Sequence, residues 1–213
     1  MARGRLIVFE GAEGVGKSTQ LRRLTTWLES GGRVVHALRE PGGTPLGDEI
    51  RRLLLDPASD VAPRAEALLF MASRAQLVET LVRPALAAGH VVLLDRFFLS
   101  TYAYQGAGRG LPEREVMEAN AVATSGLVPD LTLLLALPVA EGLARAAKRG
   151  ERDRMERNAD DFHHRVAAAF ATFATAAWQA RHPECGPIET VDAAGAEADV
   201  FARIRALVEA RLA

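Results

Sequence analysis

Apolar residues along this chain fall into short solid runs, separated by longer stretches in which they recur every three or four positions. Leu6, Ile7, Val8 and Phe9 form one such run, which passes through Glu10 to Gly11. A short run rich in β-branched and aromatic side chains and ended by glycine predicts a strand buried on both faces. Over residues 18–29 the spacing changes. Leu21, Leu24 and Leu28 lie three and four apart, which predicts an amphipathic helix, and Ser30-Gly31-Gly32 supplies a left-handed stop. The two patterns then alternate, with further strands predicted at residues 34–38, 91–94, 131–137 and 188–191. Solid strands joined through helices run parallel, and a parallel sheet needs helices on both faces. The expected architecture is α/β: a three-layer sandwich with a five-stranded parallel sheet flanked by helices, whose ligands sit at strand carboxyl ends.

Between the first strand and the first helix lies Gly11-Ala12-Glu13-Gly14-Val15-Gly16-Lys17-Ser18-Thr19, which matches G-x-x-x-x-G-K-[ST] in the context that its mechanism requires. Glycines let backbone N–H groups turn inward on phosphates, and the helix amino terminus adds partial positive charge. A nucleoside triphosphate is therefore expected on Gly11, Glu13, Gly14, Val15, Gly16, Lys17, Ser18 and Thr19, in a P-loop NTPase fold. Lys17 is expected to reach the β- and γ-phosphates and Ser18 to ligate Mg²⁺. Asp95-Arg96 follows the third strand, so a second Mg²⁺-holding carboxylate is expected at its carboxyl end, with Arg96 either facing the same crevice or forming a surface ion pair. The charged stretch 148–157 reads either as a solvated helix face or as a mobile lid, about 148–158, whose arginines close over the triphosphate. No guanine-reading N-K-x-D element follows the fourth strand, which disfavours a GTPase switch.

Composition narrows the partners. The 213 residues show no internal repeat and no Gly, Pro or Ser-rich linker, so residues 1–213 are expected to form a single domain. Lysine and arginine total 26 against 27 acidic residues, which gives no global positive field and no expectation of a nucleic acid polymer as partner. The anion site must be local. The single cysteine, Cys185, cannot form an internal disulfide, which fits a reducing compartment. The first apolar run is too short for a signal peptide, and no run approaches the roughly 18 residues of a membrane span. A cytoplasmic location without a membrane partner is expected.

Read together, the loop above, Arg39-Glu40-Pro41-Gly42-Gly43-Thr44, Asp95-Arg96-Phe97 with Ser100-Thr101-Tyr102-Ala103-Tyr104-Gln105-Gly106, and Arg149-Gly150-Glu151-Arg152-Asp153-Arg154 resemble the thymidylate kinase family. The resemblance runs nearly the whole chain, from Leu6 to the last helix. Glu13 inside the loop, with arginines in the flap, resembles the bacterial subtype. The resemblance implies a thymidylate kinase: Mg²⁺-dependent transfer of the ATP γ-phosphoryl group to dTMP, giving dTDP and ADP for dTTP synthesis, by a homodimer. It implies Lys17, Asp95, Arg96 and Arg149 as the catalytic set, with Arg149 in transition-state work and Arg154 a second candidate. It implies Arg51 and Arg96 on the acceptor phosphate, Phe70 stacked on thymine, Arg74 donating to the base, and Ser100, Thr101 and Gln105 completing the pocket. Tyr104 matches a position that crowds a ribose 2′-hydroxyl, Glu13 approaches the 3′-hydroxyl, Glu40 belongs to the acceptor loop with an unusual bend at Pro41, and Arg145 lies along adenine. Three positions depart from the family pattern: Ala136 stands where aspartate is common, Phe97 replaces a more polar ring, and Arg152 replaces an apolar residue.

Blander readings stay open at this point. Phe70 can be core and Arg74 a surface cation, Glu40-Pro41 can be a simple turn, and Trp27 and Trp178 read as packing anchors. A deoxynucleoside kinase with Glu40 as base shares several of the motifs, as does a kinase of another monophosphate. A non-catalytic nucleotide switch is a third possibility. The apolar helices around 65–81 and 166–178 are the expected dimer surface.

Overall fold

The computed structural model describes residues 3–147, 154–155 and 160–212. The strands are β1 (Arg5–Glu10), β2 (Val35–Arg39), β3 (Val91–Asp95), β4 (Leu131–Ala136) and β5 (Ile188–Asp192). They form a sheet in the order β2-β3-β1-β4-β5, and every pairing is parallel. All five predicted strands are present, with β2 displaced by one residue to end at Arg39 and β4 ending one residue early.

The period of two along a strand divides β1 between two cores. Leu6 and Val8 face one side with Val92, Leu94 and Leu134, whereas Ile7 and Phe9 face the other with Leu93, Leu133 and Leu135. On the second side lie α1 (Lys17–Ser30), through Leu21, Leu24 and Leu28, and α10 (Glu197–Leu212), through Val200, Ile204 and Val208. The predicted stop after α1 is present, with Gly32 at φ 78°.

The first side is built differently. There α2 (Pro45–Leu55) and α3 (Pro63–Leu77) pack together, and α3 runs through a π-helical turn, Val78–Val82, into α4 (Arg83–Ala87). After β3 the short α5 (Phe98–Thr101) continues as a π-helical segment, Tyr102–Gly108, before α6 (Glu113–Thr124). β4 leads to α7 (Val139–Ala147), and α8 (Asp160–Phe173) and α9 (Ala176–Gln179) precede β5.

One expectation is overturned here. Val166, Ala169, Phe170, Phe173 and Trp178, offered above as external dimer surface, are all buried in the first core. Phe170 and Phe173 pack edge to face, and Trp178 stacks on His182 at 3.9 Å, so this apolar stripe is already covered by its own chain. Cys185 is fully enclosed, and burial pushes its thiol pKa well up.

Parallel order with β1 central sets the position of chemistry. β1 is flanked by β3 on one side and β4 on the other, so the crevice opens beyond its carboxyl end. Register brings Phe9, Arg39 and Asp95 level, and two bonds carry the sheet slightly further: the Arg96 N–H donates to the Phe9 carbonyl at 2.9 Å, and the Glu40 N–H donates to the Asp95 carbonyl at 3.0 Å.

Candidate active site

At this edge the chain leaves β1 through Gly11 at φ 135° and enters α1 through Gly16 at φ 92°. The loop between them is pressed against β4 and α7. A Cβ on Gly11 would lie 2.5 Å from the Leu135 carbonyl, and one on Gly14 would lie 2.0 Å from the Gly142 carbonyl. Gly142 answers in kind, since a Cβ there would meet the Glu13 carbonyl at 2.6 Å. Nothing in its local sequence marks Gly142, because its partner Glu13 lies in a distant turn.

Lys17 folds back over the loop and donates from Nζ to the carbonyls of Gly11 at 2.9 Å and Ala12 at 2.8 Å. Burial, with help from the positive charge of Arg96, lowers its pKa to about 7. Ser18 Oγ donates to Asp95 Oδ2 at 2.8 Å, so hydroxyl and carboxylate converge as Mg²⁺-ligand chemistry requires.

Arg96 has φ 72°, a left-handed conformation that is uncommon for a side-chain-bearing residue and marks a constrained turn. Its guanidinium lies 5.1 Å from the Tyr104 ring centroid and donates to Ser100 Oγ at 2.9 Å, with longer contacts to the Gly11 carbonyl and Tyr104 Oη. Its pKa is raised further: burial opposes the charge, but Tyr104, Asp95, Glu10 and Glu13 outweigh it. Behind the turn stands Glu10, fully buried. Its Oε1 accepts from the Phe97 and Ser100 N–H groups at 2.7 and 3.0 Å, and its Oε2 accepts from Ser100 Oγ at 2.7 Å. The sequence marks Glu10 only as a strand end, its one local signal being a carboxylate that closes an apolar run.

Across the cleft, Arg74 is not a surface cation: it is 2% exposed. Nε donates to Glu40 Oε2 at 2.7 Å, Nη1 to Thr101 Oγ1 at 3.0 Å and to Asn120 Oδ1, and Nη2 to the Phe97 carbonyl at 2.8 Å. The guanidinium expected to donate to a base is thus engaged by protein acceptors and orients Glu40 and Thr101. Burial raises the Glu40 carboxyl pKa, with Arg74 opposing, and Glu40 Oε1 has no hydrogen-bond partner among the described residues. The Glu40-Pro41 bond is cis, and the Pro41 carbonyl accepts from Arg51 Nη1 at 3.0 Å. Phe70, half-buried, shows its ring to the cleft instead of joining the core.

These groups share one cleft of about 750 Å³. Of the expected site residues that the structure describes, all but Gly11 and Arg154 line it. Arg145, ion-paired to Glu141 at 2.6 Å, lines it as do Ala196 and Val200. Arg149 and Arg152 lie outside the described residues. Arg154 lies within them, but its Nη2 donates to Glu66 Oε2 at 2.6 Å. Phe97 contributes its backbone N–H and carbonyl, and its ring lies under the Arg74 guanidinium at 4.9 Å.

A phosphate-binding loop, a hydroxyl–carboxylate pair and a facing wall of arginines on a parallel sheet define a P-loop nucleotide kinase. Comparison with known proteins gives the family. The family described as Thymidylate kinase matches residues 9–190. A thymidylate kinase of Deinococcus radiodurans is 46% identical over 99% of both chains, and one of Clavibacter michiganensis is 48% identical over 99% of this chain and 97% of its own. The crystal structure of thymidylate kinase from Ehrlichia chaffeensis superposes with a TM-score of 0.75 at 26% identity, covering 97% of this chain and 99% of that one. The chain belongs to the thymidylate kinase family and is an ATP-dependent kinase.

Two outcomes follow from this geometry. Phosphates bind the charged form of Lys17, whose pKa in the free protein is near 7 and rises on complexation. Above that pH, MgATP binding must therefore draw in a proton. Calorimetry at pH 8 in buffers of different ionisation enthalpy should show uptake approaching about one proton, which fades toward pH 6 and disappears in Lys17→Met. Gly142→Ala should displace the phosphate loop and lower kcat/KM for ATP by about ten-fold or more, while circular dichroism stays native.

Proposed function

We propose that the chain transfers the γ-phosphoryl group of ATP to the phosphate of dTMP, giving dTDP and ADP. The observation that carries this reading is that the phosphate loop and Arg51, Arg96, Phe70 and Gln105 line one and the same cleft. A monophosphate oxygen is already ionised near neutral pH, so no general base is required. Mutual repulsion of the two anions is the obstacle, and catalysis then consists of charge stabilisation and alignment.

Lys17 takes the β- and γ-phosphates, and Arg51 and Arg96 take the acceptor phosphate. Ser18 and Asp95 would hold Mg²⁺, which when bound spreads the negative charge of the phosphates. Glu10 holds the Arg96 turn in place, and the ring of Tyr104 supports the Arg96 guanidinium. Phe70 stacks on thymine, with Thr101 and Gln105 beside it, and Arg74 keeps Glu40 and Thr101 oriented. Ser100 fixes Arg96, Glu13 faces the sugar hydroxyls, and Arg145 flanks the adenine. Arg149 is assigned transition-state work by family resemblance alone.

The reading extends to a single-domain, cytoplasmic homodimer. Leu46 and Leu53 on α2, Leu68 on α3, and Met117 and Val122 on α6 are exposed, and these helices pack side by side. Exposed apolar side chains on one helical layer support a contact with a second copy.

Incubation of the purified protein with MgATP and a panel of nucleosides and monophosphates should release ADP fastest with dTMP and not with thymidine. Lys17→Ala should fold normally and lose about a hundred-fold or more in kcat. Full activity in that variant would refute the assignment. Sedimentation velocity should give a dimer that Leu68→Glu with Val122→Glu converts to monomer; an unchanged dimer would place the contact elsewhere.

A further inference from the structure

Glu66, in the first turn of α3, is fully buried and lies outside the set of residues assigned above. Its Oε1 accepts from Gln105 Nε2 at 3.0 Å and Arg109 Nε at 3.1 Å, and its Oε2 accepts from Arg109 Nη2 at 3.1 Å and Arg154 Nη2 at 2.6 Å. Arg154 is tied down twice more: Nε donates to the Leu54 carbonyl at 2.7 Å, and its backbone N–H donates to the Leu55 carbonyl at 3.1 Å. One carboxylate thus joins α3, the π-helical segment and, through Arg154, the last turn of α2.

The cluster stands behind two residues that line the cleft: Gln105, and Met155, whose Sδ accepts from Arg109 and Arg154. Phe70, which also lines it, follows Glu66 by one helical turn on the same face. A carboxylate only accepts hydrogen bonds, so Glu66 forces the Gln105 amide to present its NH₂ group inward, which fixes the carbonyl on the opposite side. Burial raises the Glu66 pKa, but the hydrogen bonds from Arg109, Gln105 and Arg154 outweigh it, and the carboxyl is held below its ordinary range. Neutralising it would leave two guanidinium groups without their shared counter-charge.

We propose that Glu66 is a positioning residue for the acceptor: it orients Gln105 and anchors Arg154, which is braced against the last turn of α2 instead of acting on the transferring phosphoryl group. This rests on the reading that the Phe70–Gln105 wall receives the base of dTMP.

The test is steady-state kinetics of Glu66→Gln, Arg154→Gln and the double variant, with each substrate varied in turn and Phe70→Ala as reference. Each single variant should raise KM for dTMP about ten-fold, leave KM for MgATP within about two-fold and kcat within about five-fold, and the double should be no worse than the worse single. A loss of about a hundred-fold in kcat for Arg154→Gln with KM for dTMP unmoved would place Arg154 on the phosphoryl group and overturn the proposal. Independent, multiplying effects would overturn it too. If Phe70→Ala leaves KM for dTMP unchanged, the base pocket itself is misplaced and both readings fall. If Phe70→Ala raises it and Glu66→Gln does not, only the positioning role falls. Should Glu66→Gln fail to fold, Arg154→Gln decides the matter alone.

Discussion

Positive charge withheld from water, before any ligand arrives, is the constraint on which this structure turns. A cleft for two phosphate-bearing ligands needs cations at its centre, and each cation removed from water costs several kcal/mol unless partners replace its hydration. Lys17 rests on two loop carbonyls, and Arg96 rests on a hydroxyl, a carbonyl and the face of Tyr104. The hydrogen-bond partners are neutral in both cases, although the nearby charges of Asp95, Glu10 and Glu13 also stabilise the Arg96 cation. The lowered pKa of Lys17 is the measure of how little compensation it receives.

Carboxylates are placed one layer further back. Glu10 holds the turn that carries Arg96, Glu40 holds Arg74, and Glu66 holds Arg109 and Arg154. None of the three directly pairs with Lys17 or Arg96 in a way that would cancel the charge meant for phosphate. They stiffen the frame around it. Preorganised dipoles and charges need not reorganise during the reaction, which is why such a framework favours phosphoryl transfer.

The phosphate loop is subject to a second, purely steric limit. Its backbone lies so close to Leu135 and Gly142 that a methyl group has no room at Gly11, Gly14 or Gly142. The loop keeps its tight course with β4 and α7 pressed against it from behind, so the site depends on the sheet as much as on the motif.

Sequence by itself determined the strands, the first helix with its glycine stop, and the phosphate loop with Lys17, Ser18 and Asp95, because each of those signals lies in adjacent residues or in a short period of buried positions. Family resemblance added Arg51, Phe70, Arg74 and Gln105, and the fold brings all of them into the cleft. Only the tertiary structure decided what holds these groups. Glu10 meets Phe97 across 87 positions, and Glu66 meets Arg154 across 88. No local pattern marks a carboxylate whose partners arrive from another part of the chain. The apolar stripe of α8 shows the converse, since its periodicity says that it is buried but not against what, and packing turned it inward onto Tyr102 and Tyr104 of the π-helical segment and onto Trp178. A side chain's type and spacing are written along the chain, whereas its partners, and so its charge state and role, exist only once parallel strands have brought distant segments to the same edge.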